Sequence, residues 1–183
     1  NVITALPVAP GDHPGSQAPS PGASVPGVRR RTGVAAMTTS TEGRPGRPLA
    51  AVVVAALLAV AVLHGLWTTT TWPLPSREAY ARLVVGVSVA DLPSAGMTAG
   101  VALLVTLAAV LVAMEGGLVA AVGPRWIRRL GVWIVAGVLG ARGLGGLVAD
   151  IAAPDYAPAG FVRLDLAAYS PFCLLLAAGT AWI

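Results

Sequence analysis

The sequence predicts an all-α membrane protein, with four transmembrane helices in an up-down bundle. Three observations predict it. Four long apolar stretches run through residues 49–183, and the first, Leu49–Leu63, is fifteen residues without a polar side-chain atom. Charged residues make up 11% of the chain and hydrophobic ones 56%, against about 25% charged in an ordinary soluble domain, so charge is too scarce to cover a water-facing surface. The basic residues are all arginine, and all but Arg142 sit outside the apolar stretches. That distribution argues against the nucleic-acid partner that a net charge of +4 invites, and marks the arginines as topology signals instead.

Residues 1–47 are rich in Pro, Gly, Ser and Ala without apolar periodicity. They cannot bury enough surface to offset ordering entropy, and are expected to be disordered. Met37 opens a plausible natural start, Met-Thr-Thr-Ser-Thr-Glu, so residues 1–36 are expected to be non-native upstream sequence. The first span is Leu49–Trp67, with Pro48 suited to a first helical turn. Arg44, Arg47 and Ala59-Val60-Ala61 also fit a secretory leader with its cleavage site. The apolar run is long for a leader and continues past that site, which favours an uncleaved span.

Residues 68–96 form the longest internal loop. Within it, Ser76–Val87 reads as a short amphipathic helix, with Ala79, Leu83, Val84 and Val87 on one side and Arg77, Glu78 and Arg82 elsewhere. Such a helix lies flat in the headgroup region. Trp67, Trp72 and Tyr80 fit an interfacial aromatic belt. The second span runs over Met97–Met114, or on through Glu115 to Val122. Gly123-Pro124 makes a turn before Arg125, Arg128 and Arg129. The third span is Leu130–Ala149, interrupted by Arg142. A short acidic loop with Asp150, Asp155 and Tyr156 follows, broken by Pro154 and Pro158. The fourth span is Leu166–Ile183. Eight arginines fall on the side of the tail and middle loop, and three (Arg77, Arg82, Arg163) on the other. The positive-inside rule therefore expects both termini in the cytoplasm.

A charge inside a span costs about 2.5–3.5 kcal/mol on insertion scales and faces the bundle interior. Arg142 lies about 18 Å above Leu130, and His64 about 22 Å above Leu49. Asp165 stands at the outer mouth of the fourth span, with Tyr169 one turn on. His64, Arg142, Asp165 and Tyr169 can therefore meet at one depth, as an Arg142–Asp165 ion pair flanked by the other two. Gly137, Ala141 and Gly145 form a small-residue stripe at four-residue spacing that lets backbones approach. Pro171 leaves the carbonyl of Ala167 free, a group that an arginine could satisfy. Glu115 is a secondary candidate: interfacial and paired with Arg128 or Arg129 if the second helix stops at Met114, a proton or cation site if it continues. Cys173 reads as a small buried hydrophobe. No metal, cofactor or catalytic set is expected, since His64 is the only histidine in the spans and His13 lies in the tail.

Several short runs resemble a family of small bacterial, chiefly actinobacterial, membrane proteins known as domain of unknown function 3995. They are His64-Gly65-Leu66-Trp67, Arg125-Trp126-Ile127-Arg128-Arg129-Leu130-Gly131-Val132-Trp133, Arg142-Gly143-Leu144-Gly145-Gly146, and Asp165 with Tyr169-Ser170-Pro171-Phe172-Cys173. The resemblance covers about residues 49–183. It implies a four-helix membrane protein and no particular activity. The expected partners are the lipid bilayer and either further copies of the chain or another membrane protein. The leading expectation is a non-enzymatic bundle, acting as an assembly subunit or as a small-ligand or lipid binder. The alternatives are a small oligomeric transporter and a membrane enzyme acting on a lipid-soluble substrate.

Overall fold

The computed structural model describes residues 46–183. The disorder expected of residues 1–47 falls outside the described residues except at its end, where Arg47 already belongs to α1, and the Met37 start lies outside them altogether. Those that are described form helices joined by turns: α1 Arg47–Leu66, α2 Arg77–Tyr80, α3 Ala95–Glu115, α4 Arg125–Ala152, α5 Ala159–Leu164 and α6 Ser170–Trp182. A π turn over Ala81–Val85 prolongs α2, and another over Asp165–Tyr169 joins α5 to α6. The last three pieces make one helical stretch, Ala159–Trp182. With α1, α3 and α4 it gives four helices long and apolar enough to cross a membrane.

Local chemistry sets the boundaries. Pro48 takes an early position in α1, where a missing N–H costs nothing. Ser94 caps α3 by accepting from the Met97 N–H at 3.2 Å. That helix stops at Glu115, and Gly117 follows in the left-handed region at φ 69°. α4 is longer than the span expected at Leu130–Ala149. Pro124 is itself the extended residue at the helix start, so the helix opens at Arg125 and the basic cluster lies on its first turns, not in the preceding loop. The fourth helix likewise opens early, at Ala159 after Pro158. Asp165 is therefore inside the helix rather than at its mouth. The expected helix over Ser76–Val87 ends at Val85, because Gly86 turns left-handed at φ 80°.

α1 packs along α3 and α4 along α6. A Cβ on Gly116 would collide with Ala50 of α1, and one on Gly131 would come within 2.9 Å of Leu111 of α3. One on Gly143 would meet Leu174 of α6 at 2.7 Å, and one on Gly179 would meet Val53 of α1 at 2.9 Å. Gly116 and Gly131 thus bring the end of α3 against the start of α1 and the start of α4, and Gly179 brings the end of α6 against the start of α1. The core between them is Val53, Leu57, Ala109, Val112 and Leu176. Most of the remaining apolar surface points outward: Leu104, Val138, Val148 and Leu175 are all exposed. An aqueous surface would not tolerate so much, whereas lipid does so without cost.

The small-residue stripe falls elsewhere than expected. Gly137, Ala141 and Gly145 are exposed on α4, and a Cβ at Gly137 or Gly145 would meet nothing within 4 Å. The buried face of α4 is Val132, Ala136, Gly143, Gly146 and Asp150. Steps of four, seven, three and four residues separate them, as a helix face requires.

Candidate functional site

Gly146 is where the site begins. A Cβ there would overlap both Ser170 Oγ and Arg142 Nη1. The side chain that glycine lacks leaves the space in which three polar groups from α4 and the fourth helix converge. Arg142 forks onto Asp165, with Nη2 to Oδ1 at 2.8 Å and Nη1 to Oδ2 at 3.3 Å. Ser170 Oγ donates to Asp165 Oδ2 at 3.0 Å, and Arg142 Nη1 reaches Ser170 Oγ at 3.5 Å. The expected Arg142–Asp165 pair is thus present, with Ser170 as a third member.

The π turn explains Ser170. Residues five apart do not share a face of a regular α-helix. Over Asp165–Tyr169 the helix widens, and the Ser170 N–H bonds back to the Asp165 carbonyl five residues earlier. The serine hydroxyl is thereby brought over the aspartate. Pro171, one residue on, cannot donate to a carbonyl in the preceding turn, which is the condition under which a helix yields. The free Ala167 carbonyl expected from Pro171 is not taken up by Arg142, whose bonds go to Asp165 and Ser170.

Burial separates the two partners. Asp165 is fully enclosed, whereas 44% of the Arg142 side chain is exposed. A carboxylate with both oxygens bonded inside an apolar bundle is a strong tie between helices, since removing its cation leaves a bare buried charge. Two grooves among the described residues, one beside Trp67 and one beside Glu115, are lined by none of Arg142, Asp165, His64 and Tyr169.

The two flanking candidates turn away. His64 Nδ1 lies 2.9 Å from its own Val60 carbonyl. Its ring packs on Trp67 at 5.2 Å, and Trp67 on Tyr80 at 5.3 Å. It thus starts an aromatic column running from α1 to α2. Tyr169 donates its hydroxyl to the Leu83 carbonyl at 3.3 Å, and its ring faces Phe161 at 6.3 Å. Tyr169 therefore pins the segment after α2 to the fourth helix, one residue along from the pair. Beside the aromatic column a groove of about 490 Å³ opens, lined by Trp67, Thr68–Thr71, Arg77, Tyr80 and the start of α3.

Asp150 is the residue that the sequence did not single out for this site. It lies in the last turn of α4, only 2% exposed, and not in the loop. Tyr156 donates to its Oδ1 at 2.9 Å, while Oδ2 has no partner among the described residues. Its signal was the spacing Gly143, Gly146, Asp150, legible only with α4 carried past Ala149. Tyr156 as a residue is half-exposed, but its hydroxyl rests on that buried carboxylate. Burial and the bond to Asp150 push the phenol up to about 12. Glu115 ends α3 and accepts from Arg128 Nε at 2.8 Å, as an ion pair. Cys173 is a free, partly buried thiol.

The sequence pattern of one family, described as "Protein of unknown function (DUF3995)", matches residues 57–180, well over half of the chain. No curated protein and no solved structure matches it.

Proposed function

We propose that this chain, which belongs to the family of unknown function DUF3995, is a non-enzymatic, multi-pass protein of the bacterial inner membrane that works as a subunit of an oligomeric assembly. Its four spans form an up-down bundle. The start of α1, the α3–α4 turn and the end of α6 face the cytoplasm, in keeping with Arg47, Arg125, Arg128 and Arg129 at that end. The segment Arg77–Val85 lies in the outer headgroup layer, its charged residues outward and Ala81 buried beneath.

The observation that carries the subunit reading is the outward face of α4. Gly137, Ala141 and Gly145 are open there, at the spacing that allows another helix to come close. Arg142, on the flank of the same face, has donors left over after its bonds to Asp165 and Ser170, and 44% of its side chain is exposed. Lipid tails cannot accept those hydrogen bonds, but a facing helix can. A second copy of the chain fits the face best, because the stripe is self-complementary across a two-fold axis. Catalysis finds less support. Asp165 is enclosed and fully bonded, and His64 points into the aromatic column. The transporter alternative finds little either, since the spans hold few charged groups at mid-depth besides Arg142.

Light scattering of the chain in mild detergent tests the proposal, together with energy transfer between labelled copies in vesicles. The expected result is a dimer or higher oligomer that G137L/G145L dissociates with helicity intact. A wild-type chain that is monomeric in both media sinks it.

A further inference from the structure

The opposite end of the bundle holds a second groove, of about 360 Å³. Four helices contribute to it: Arg47 from the start of α1, Glu115 from the end of α3, Arg125 and Arg128 from the start of α4, and Trp182 from the end of α6. Three guanidinium groups against one carboxylate leave positive charge in excess. Arg128 is held by Glu115 at 2.8 Å and by the Gly123 carbonyl at 2.6 Å. Arg47 and Arg125 have no acidic partner among the described residues. Among the described residues no side chain caps α1 or α4, so the first N–H groups of both helices add to the positive field. Trp182 is 81% exposed. An indole in that position marks the headgroup layer.

We propose that this groove binds a phosphate group, held by Arg47 and Arg125 with Arg128 beside them, and that the phosphate belongs to an anionic phospholipid. Guanidinium groups match phosphate oxygens in pairs. Basic pockets between membrane helices suit such headgroups, and each arginine near the surface changes affinity by about five-fold. Soluble phosphate carries the same chemistry. What favours the lipid is the setting: the groove opens at the ends of four apolar helices, where Met114 and Trp182 offer acyl chains a wall. The site lies at the Arg125 end of α4, more than four turns along the helix from Arg142, and does not depend on assembly.

Titration of the full chain in a neutral detergent, read by thermal unfolding and by native mass spectrometry, tests this. The probes are phosphatidylglycerol, phosphatidylcholine and sodium phosphate. Phosphatidylglycerol is expected to bind and stabilise, and phosphatidylcholine to do neither. R47Q/R125Q is expected to weaken phosphatidylglycerol roughly twenty-fold. E115Q, which removes the competing carboxylate, is expected to tighten it. R129Q, on the same helix but outside the groove, should leave it unchanged. If the double variant fails to fold, R125K keeps the charge and removes the fork, and a several-fold loss is still expected. Competition by sodium phosphate at the same residues supports the phosphate site and reassigns its source to solution. Equal binding of phosphatidylcholine, equal weakening by R129Q, or no binding of any probe overturns the proposal.

Discussion

At the residue scale, the fork between Arg142 and Asp165 has an asymmetric consequence. Breaking a buried pair from one side is far worse than removing both halves. R142L leaves Asp165 enclosed without a cation and is expected to cost about 3–5 kcal/mol of stability. R142L/D165L should recover most of that loss, and thermal unfolding in detergent measures both. A double variant as unstable as the single one would show that the pair does more than neutralise itself. Tyr156 gives a pH signature. Its phenol is raised in the folded protein to about 12, above the ordinary value near 10. A raised acid favours the folded state while it is protonated, so this contribution is intact below pH 10 and fades as the pH climbs from about 10 through about 12. Tyrosinate absorbance of wild type minus Y156F should therefore rise late, near pH 12. A difference curve centred on 10 would remove Asp150 from the argument.

At the element scale, the short segment after α2 is fastened by small details. Gly86 is left-handed, and the Phe161 ring lies 2.8 Å from where a Cβ would stand. G86A therefore suffers a backbone cost of about 1–2 kcal/mol on top of a clash with Phe161. The expected readout is a lowered unfolding temperature, with a change in tryptophan emission as the Trp67–Tyr80 contact loosens; unchanged emission and stability would contradict that fastening. The four long helices were legible in the sequence because apolar length is itself the signal. Their ends were less so. Pro124 and Pro158 start helices, but each was read as part of a loop, which left Arg125–Arg129 and residues 159–165 outside the helices that hold them. The pair Arg142–Asp165 could be foreseen, since a charge in an apolar helix must find its opposite. Ser170 and Asp150 could not, because one depends on a π turn and the other on the final turn of α4. The orientation of His64 was hidden for a different reason. Depth along a helix says nothing of direction around it.

At the scale of the whole molecule, the ends of the bundle differ in charge. Arginines crowd the α3–α4 end, while the opposite loops carry Glu78, Asp91 and Asp155 among fewer arginines. The proposed orientation predicts that, with Cys173 replaced by alanine, a cysteine at Ala121 reacts with an impermeant thiol reagent only in inverted vesicles. One at Thr69 should react only in intact spheroplasts. The reverse pattern would turn the protein over. The length of α4 bears on a further property. Its 28 residues span about 42 Å, against a hydrocarbon layer about 30 Å thick. It must lean, or lift its first arginine-bearing turn into the headgroups. The glycine contacts with α6 leave little freedom to lean. In the proposed orientation, acyl-chain length then becomes a variable to which this protein is mechanically coupled: a thinner bilayer would load the seam at Gly143 and Gly146, where α4 meets α6.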